Sequence, residues 1–240
     1  MASKQFLLDE NTVVTIYKRR GNRNVRLTIT SGGEVRVSIP TWAPYATGLK
    51  FAHQRQAWIQ AQKRPTELLT DGQTVGKAHH LRFIPRDNLN KPTSRIAGGE
   101  LIVYYPQQLD IQNSEVQAAA HKLCVRGLRR QSEQLLPQRL TQLAQQHSYD
   151  YKSVSIKALK SRWGSCDSHK NIVLNLYLMQ LPWENIDYVL LHELVHTKVL
   201  RHGPDFWQEF EKTAPDAKKL RKAMAAYHPV LRGSIDTAVA

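Results

Sequence analysis

The segment His192-Glu193-Leu194-Val195-His196 constrains this chain more than any other. Histidines four apart on a helix differ by about 40° in azimuth, so both imidazoles reach one point. Val189, Leu190, Leu191, Leu194, Val195 and Val199 make the surrounding helix mostly apolar. A buried helix would leave His-Glu-His uncompensated unless a metal or another partner satisfied it. The spacing therefore predicts two metal ligands, with Glu193 placed to meet a water on that metal. This is the signature of a zinc hydrolase.

A catalytic zinc takes three protein ligands and keeps one position open. His202 is the best third ligand. It lies off the ligand face of a continuing helix, so the helix must end near Leu200 or Arg201 and the chain must turn back. Gly203 can cap and Pro204 can open the next helix, whose Phe206, Trp207 and Phe210 would pack it down. One zinc per chain is expected. It would lower the pKa of a water toward ~7 and polarise the scissile carbonyl, with Glu193 as general base. The oxyanion needs a further donor, for which Tyr188, Arg162 and His228 are candidates. The spacing alone also fits a zinc hydrolase of a non-peptide amide.

The chain has 240 residues, 41% of them hydrophobic, enough for one large domain or two lobes. Two cysteines, Cys124 and Cys166, exclude a disulfide scaffold and a four-cysteine zinc site. No apolar run approaches the ~18 to 20 residues that cross a bilayer. The N-terminus has no signal-peptide pattern, so a cytoplasmic location is expected. Lys+Arg outnumber Asp+Glu 34 to 20, a formal charge of +14. That field is compatible with DNA association, and no aromatic-interleaved motif accompanies the cations along the sequence. A zinc-stabilised, nucleic-acid-associated binding protein with little hydrolysis is thus a second reading.

The fold class expected is α+β. The first 110 residues read as a β-rich antiparallel lobe and residues 111–240 as a helical zinc-binding lobe. Thr12 to Tyr17, Val25/Leu27/Ile29 and Val35/Val37/Ile39 alternate as half-buried strands do, with Ser31-Gly32-Gly33 as a turn. A helix is expected over Ala46–Gln62, and strands over His80–Ile84 and Leu101–Tyr105 with a polar loop between them. Val116–Leu135 reads as a helix that Pro137 breaks, a second helix running to Gln146. Val154 and Ile156 mark a short strand. Ile172, Leu174, Leu176 and Leu178 read as one face of another. The first few residues and Ser234–Ala240 read as tails.

The stretch Lys160-Ser-Arg162-Trp163-Gly164-Ser165-Cys166, then Asn175, Pro182, Ile186-Asp187-Tyr188-Val189, the zinc motif, His202 and Phe206-Trp207 resembles the YgjP-like metallopeptidases, relatives of the SprT and Wss1-like group. The resemblance covers roughly residues 20 to 230. It implies a small zincin-like catalytic lobe, its zinc helix packed on a short sheet. It also implies three histidine ligands, His192, His196 and His202, with Glu193 as base, and cleavage of a protein or peptide substrate. Arg162, Asn175 and Tyr188 are carried along as candidate substrate-binding residues. In zincins the substrate adds to an edge strand, here expected within Ile172–Leu178. The Trp163-Gly164 turn reads as structural. No glycine separates His196 from His202, so that turn must be made without one.

Overall fold

A computed structural model describes residues 3–9, 12–29, 34–62 and 68–231. The chain divides into two compact units, Met1–Glu67 and Leu68–Ala240.

The first unit holds strands β1 (Ser3–Asp9), β2 (Thr12–Arg19), β3 (Arg26–Ile29) and β4 (Val35–Pro40) in the order β1-β2-β4-β3. Two helices follow, α1 (Tyr45–Gln54) and α2 (Gln56–Gln62), where one was expected. The alternation was a sound guide to the strands: Val14, Ile16, Val35, Val37 and Ile39 are all buried. It did not give their direction. The β1–β2 and β3–β4 pairs are antiparallel, but β2 and β4 run parallel, so the sheet is mixed. A period of two is the same in either direction. Helix α1 lies close on this face at Gly48, where a Cβ would stand 2.8 Å from Ile16 Cγ2 and 3.0 Å from Ile39 Cγ2. Ser3–Asp9 forms a strand rather than a tail, paired along β2. The expected Ser31–Gly33 turn and the tail Ser234–Ala240 lie outside the described residues.

The second unit begins with β5 (Thr74–Val75), β6 (His79–Arg86), β7 (Thr93–Ala97) and β8 (Glu100–Pro106), ordered β5-β6-β8-β7. The polar loop expected between the two strands contains β7. Helix α3 (Ser114–Gln146) packs on this sheet; Leu81, Leu101 and Val103 share one core with Val116, Ala120, Leu123 and Leu128. The division into compact units falls after Glu67, away from the boundary expected near residue 110. The change at 110 is one of secondary structure within a common core. Helix α3 also runs unbroken through Pro137. Leu136, Leu140 and Leu143 continue the buried stripe beyond the proline, and that packing offsets the ~3 kcal/mol a proline costs inside a helix.

A second sheet follows: β9 (Ser153–Lys157), β10 (Gly164–Cys166) and β11 (Asn171–Asn175), ordered β10-β11-β9. Strand β11 ends at Asn175, and Leu176–Gln180 is a 3-10 helix. Leu176 and Leu178 are buried from that helix and not from a strand face. The chain then forms α4 (Trp183–Val195), α5 (Pro204–Thr213) and α6 (Ala217–Met224). Among the described residues, no helix is long and apolar enough to cross a membrane.

Candidate metal centre

Helix α4 carries His192 in its last turn and His196 as its C-cap. Pro182 stands in extended conformation at its N-cap, and Glu184 in its first turn complements the helix dipole. Ile186, Leu190 and Leu194 bury its inner face. Asp187 fixes it to α3 through a two-pronged contact, accepting from Arg139 Nε at 2.8 Å and Nη2 at 2.6 Å.

The helix ends at Val195, several residues before the expected stop at Leu200 or Arg201, and His196 is its C-cap. No glycine is needed. Thr197 Oγ1 donates to Leu194 O at 2.7 Å, and His196 Nδ1 stands 3.0 Å from Val199 O. Gly203 and Pro204 then open α5 as its N-cap and first residue. His202 is returned across the site by this path.

The result is a convergence of three imidazoles. Nε2 of His202 lies 2.9 Å from Nε2 of His192 and 3.2 Å from Nε2 of His196. The three ligand atoms all lie within 4.8 Å of one another. Phe206, fully buried, forms a common floor, its ring centroid 4.6 to 4.9 Å from each imidazole. Because His196 Nδ1 must donate to the Val199 carbonyl, its Nε2 keeps a lone pair facing the other two. Burial, with His196, His202 and Arg221 adding to it, drives His192 down to about 3; burial also lowers His196. Both rings are neutral at pH 7, as metal ligands must be. Nitrogens each ~2.0–2.1 Å from a tetrahedral zinc stand about 3.3 Å apart. The donor set and its spacing fit that ion.

Glu193 points into the sheet side. Its residue is 5% exposed and Oε2 has no hydrogen-bond partner among the described residues. Burial pushes its carboxyl up to about 8, against the opposing pull of the Arg162 guanidinium. Gly164 on β10 lies directly against it: a Cβ there would meet Glu193 Oε1 at 2.6 Å and Cγ at 2.8 Å. Gly164 of the Trp-Gly turn thus opens an edge strand that touches the glutamate.

The family model for the YgjP-like metallopeptidase domain matches residues 23–227. The chain belongs to the YgjP-like metallopeptidase family. Two solved structures also match. The metallopeptidase zymogen of Pyrococcus abyssi abylysin is 25% identical over 46% of this chain and 99% of that one, with a TM-score of 0.34. The metallopeptidase zymogen of Methanocaldococcus jannaschii jannalysin is 22% identical over 36% of this chain and 89% of that one, with a TM-score of 0.32. No curated protein matches the chain.

In this YgjP-like chain the other predicted site residues separate. Arg162 is exposed and acts on Glu193. Tyr188 is buried, its ring 6.3 Å from His192 and edge-on to Phe210 at 5.2 Å. Asn175, expected to meet substrate, is placed as a brace in this structure. It is 0% exposed, donates through Nδ2 to Leu159 O and Arg162 O at 2.8 Å each, and accepts from Tyr177 N at 3.2 Å. It holds the loop leading into β10. His228 lies beyond α6 and is exposed. Cys166 stays outside the ligand triad; burial and the Glu193 and Asp167 carboxylates push its thiol up to about 11.

Sequence reasoning missed a clamp around the turn between the ligands. Glu209 on α5 accepts from Tyr149 Oη at 3.1 Å, Lys198 Nζ at 3.2 Å and Lys212 Nζ at 3.0 Å. Lys198 lies two residues past His196, so this carboxylate ties the turn to α5. Nothing in the spacing of 149, 198 and 209 signals it. The Lys212 and Lys198 bonds hold Glu209 down to about 2 from the ordinary 4.5. A carboxyl with a depressed folded pKa stabilises above its unfolded pKa and loses this as pH falls through the folded one. The stability difference between wild type and Glu209→Gln is therefore expected to be full above pH 4.5 and to vanish toward pH 2. Urea denaturation across that range checks it, and a difference indifferent to pH would show that the clamp does not form.

Proposed function

We propose that this chain is a zinc-dependent metalloendopeptidase with a zincin-like catalytic lobe. His192, His196 and His202 would hold the zinc, and Glu193 would be the general base. The observation that carries the reading is the convergence of three imidazole Nε2 atoms, with the residue next to His192 a buried glutamate whose Oε2 has no partner among the described residues. Zinc, when bound, supplies Lewis acidity to a water and to the scissile carbonyl. Glu193 Oε2 accepts the proton of the attacking water and returns it to the leaving amide nitrogen. A carboxyl whose proton affinity burial has raised toward neutrality suits both transfers. Arg162, on the loop before β10, limits that rise.

The expected substrate strand is reassigned. Strand β11 is central, bonded to β10 on one side and β9 on the other, so Ile172–Leu178 offers no edge. Strand β10 is the edge beside Glu193. A substrate backbone would pair along Gly164–Cys166 and bring its carbonyl toward the histidines. Pairing of this kind needs no chain terminus, which favours cleavage within a chain.

Purified protein is expected to carry about one zinc per chain and to cut unfolded protein substrates at internal bonds, as mass spectrometry of the products reads. A chelator should stop the cutting and added zinc should restore it. Cleavage unaffected by metal removal, or release of terminal residues alone, would sink the proposal.

A further inference from the structure

Trp42 is 80% exposed, an unusual position for a side chain that is on average well buried. Ala43 N donates to Pro40 O at 3.1 Å and Ala43 is buried, so Thr41 and Trp42 form the tip of a tight turn at the end of β4. Parallel pairing of β2 with β4 places Lys18 opposite Ile39 and Arg19 opposite Pro40, directly beside this turn. Lys18 Nζ donates to Thr41 O at 2.9 Å. Arg20 and Arg23 follow in the exposed turn after β2, where Asn22 N donates to Arg19 O at 3.2 Å. Lys4 reaches the same end, its Nζ 5.3 Å from the Tyr45 ring that Lys18 also approaches.

The charge of this unit is polarised along the sheet. Its described carboxylates, Asp9 and Glu34, stand at the opposite end. Asp9 pairs across from Thr12 and accepts from Gln56 and Gln60; Glu34 precedes β4 and binds Arg36 at 2.6 Å. The basic end therefore presents cations around one exposed aromatic ring carried on a hydrogen-bonded turn, with no carboxylate among the described residues there. The exposed aliphatics Leu7 and Val13 face each other toward the acidic end and give the basic end no greasy patch for lipid.

We propose that this end of the first unit binds single-stranded nucleic acid, with Trp42 stacking on an unpaired base and Lys18, Arg19, Arg20 and Arg23 contacting phosphates. An exposed aromatic inside a basic field is the combination that recognises a strand whose bases are free. A duplex hides its base faces and could use the cations alone. The surface belongs to the first unit and does not rest on the metallopeptidase reading.

The test is fluorescence anisotropy of the full chain with labelled oligo(dT), oligo(U) and a duplex, each of about 20 nucleotides. Both single strands should bind more tightly than the duplex, whether or not a chelator is present, and their difference identifies DNA or RNA as the better ligand. Trp42→Ala should weaken single-strand binding roughly five- to a hundred-fold and Trp42→Phe far less. Joint Arg19→Gln, Arg20→Gln and Arg23→Gln should lower the salt slope by about 2, at ~0.7 per lost contact. Circular dichroism confirms that the exposed substitutions leave the fold intact. Three outcomes would overturn the proposal: Trp42→Ala binding like wild type, duplex preferred over single strands, or anionic phosphatidylserine vesicles bound while the oligonucleotides are not.

Discussion

Glu193→Gln is expected to lose peptide cleavage by about 10²- to 10⁴-fold while keeping its metal and its fold. Glutamine fills the same volume and leaves His192, His196 and His202 untouched. What it removes is the proton acceptor at Oε2, which no other group among the described residues satisfies. The same substitution has a second, opposite effect. Burial raises the Glu193 carboxyl to about 8. A raised carboxyl pKa means that the folded state holds its proton more tightly than the unfolded one. Its contribution is favourable below the ordinary value of 4.5 and is lost as pH rises toward 8. In chelated protein at neutral pH, glutamine therefore avoids the cost of burying a carboxylate, and Glu193→Gln should melt no lower than wild type. Activity and stability should thus part. Metal analysis, thermal melting and cleavage of one peptide read all three quantities. A variant with its zinc and near wild-type turnover would exclude Glu193 as the base.

The convergence of His192, His196 and His202 was legible because its geometry is local. Four-residue spacing on a helix sets the direction of His192 and His196, and Gly203-Pro204 marks where the next element starts. The position of His202 needed only a helix that stops, and the structure stops it with backbone and side-chain hydrogen bonds around Thr197 and Val199. What was not legible depends on contacts between distant segments. Alternation buried Val14, Ile16, Val37 and Ile39 correctly but is blind to whether β2 and β4 run the same way. That pairing brings Trp42 to Lys18 and Arg19, across more than twenty residues of chain, so a basic–aromatic surface exists in the fold without a motif in the sequence. Pro137 read as a break because its local cost is known while the core that Leu136, Leu140 and Leu143 share was not. Ile172–Leu178 read as the substrate edge because periodicity cannot say which strand of a sheet is central.

Gly164→Ala is expected to lower cleavage by about 10²-fold, the scale of a 1 Å displacement of a reacting group, although it adds one methyl group. The conflict is not one of backbone conformation: Gly164 lies in β10, paired with Leu174 of β11. It is one of space. The added Cβ would stand 2.6 Å from Oε1, 2.8 Å from Cγ and 2.9 Å from Cδ of Glu193, closer than such atoms can approach. Either the carboxylate withdraws from its place beside the histidines or β10 moves off β11, carrying the substrate edge with it. The two responses differ in kinetics. Displacing Glu193 lowers kcat with KM little changed, since the proton acceptor is needed only in the chemical step; displacing the edge strand raises KM. Neither response touches the three imidazoles, so zinc content should stay near one per chain. Full activity in Gly164→Ala would mean that Glu193 does not work from the position it occupies here.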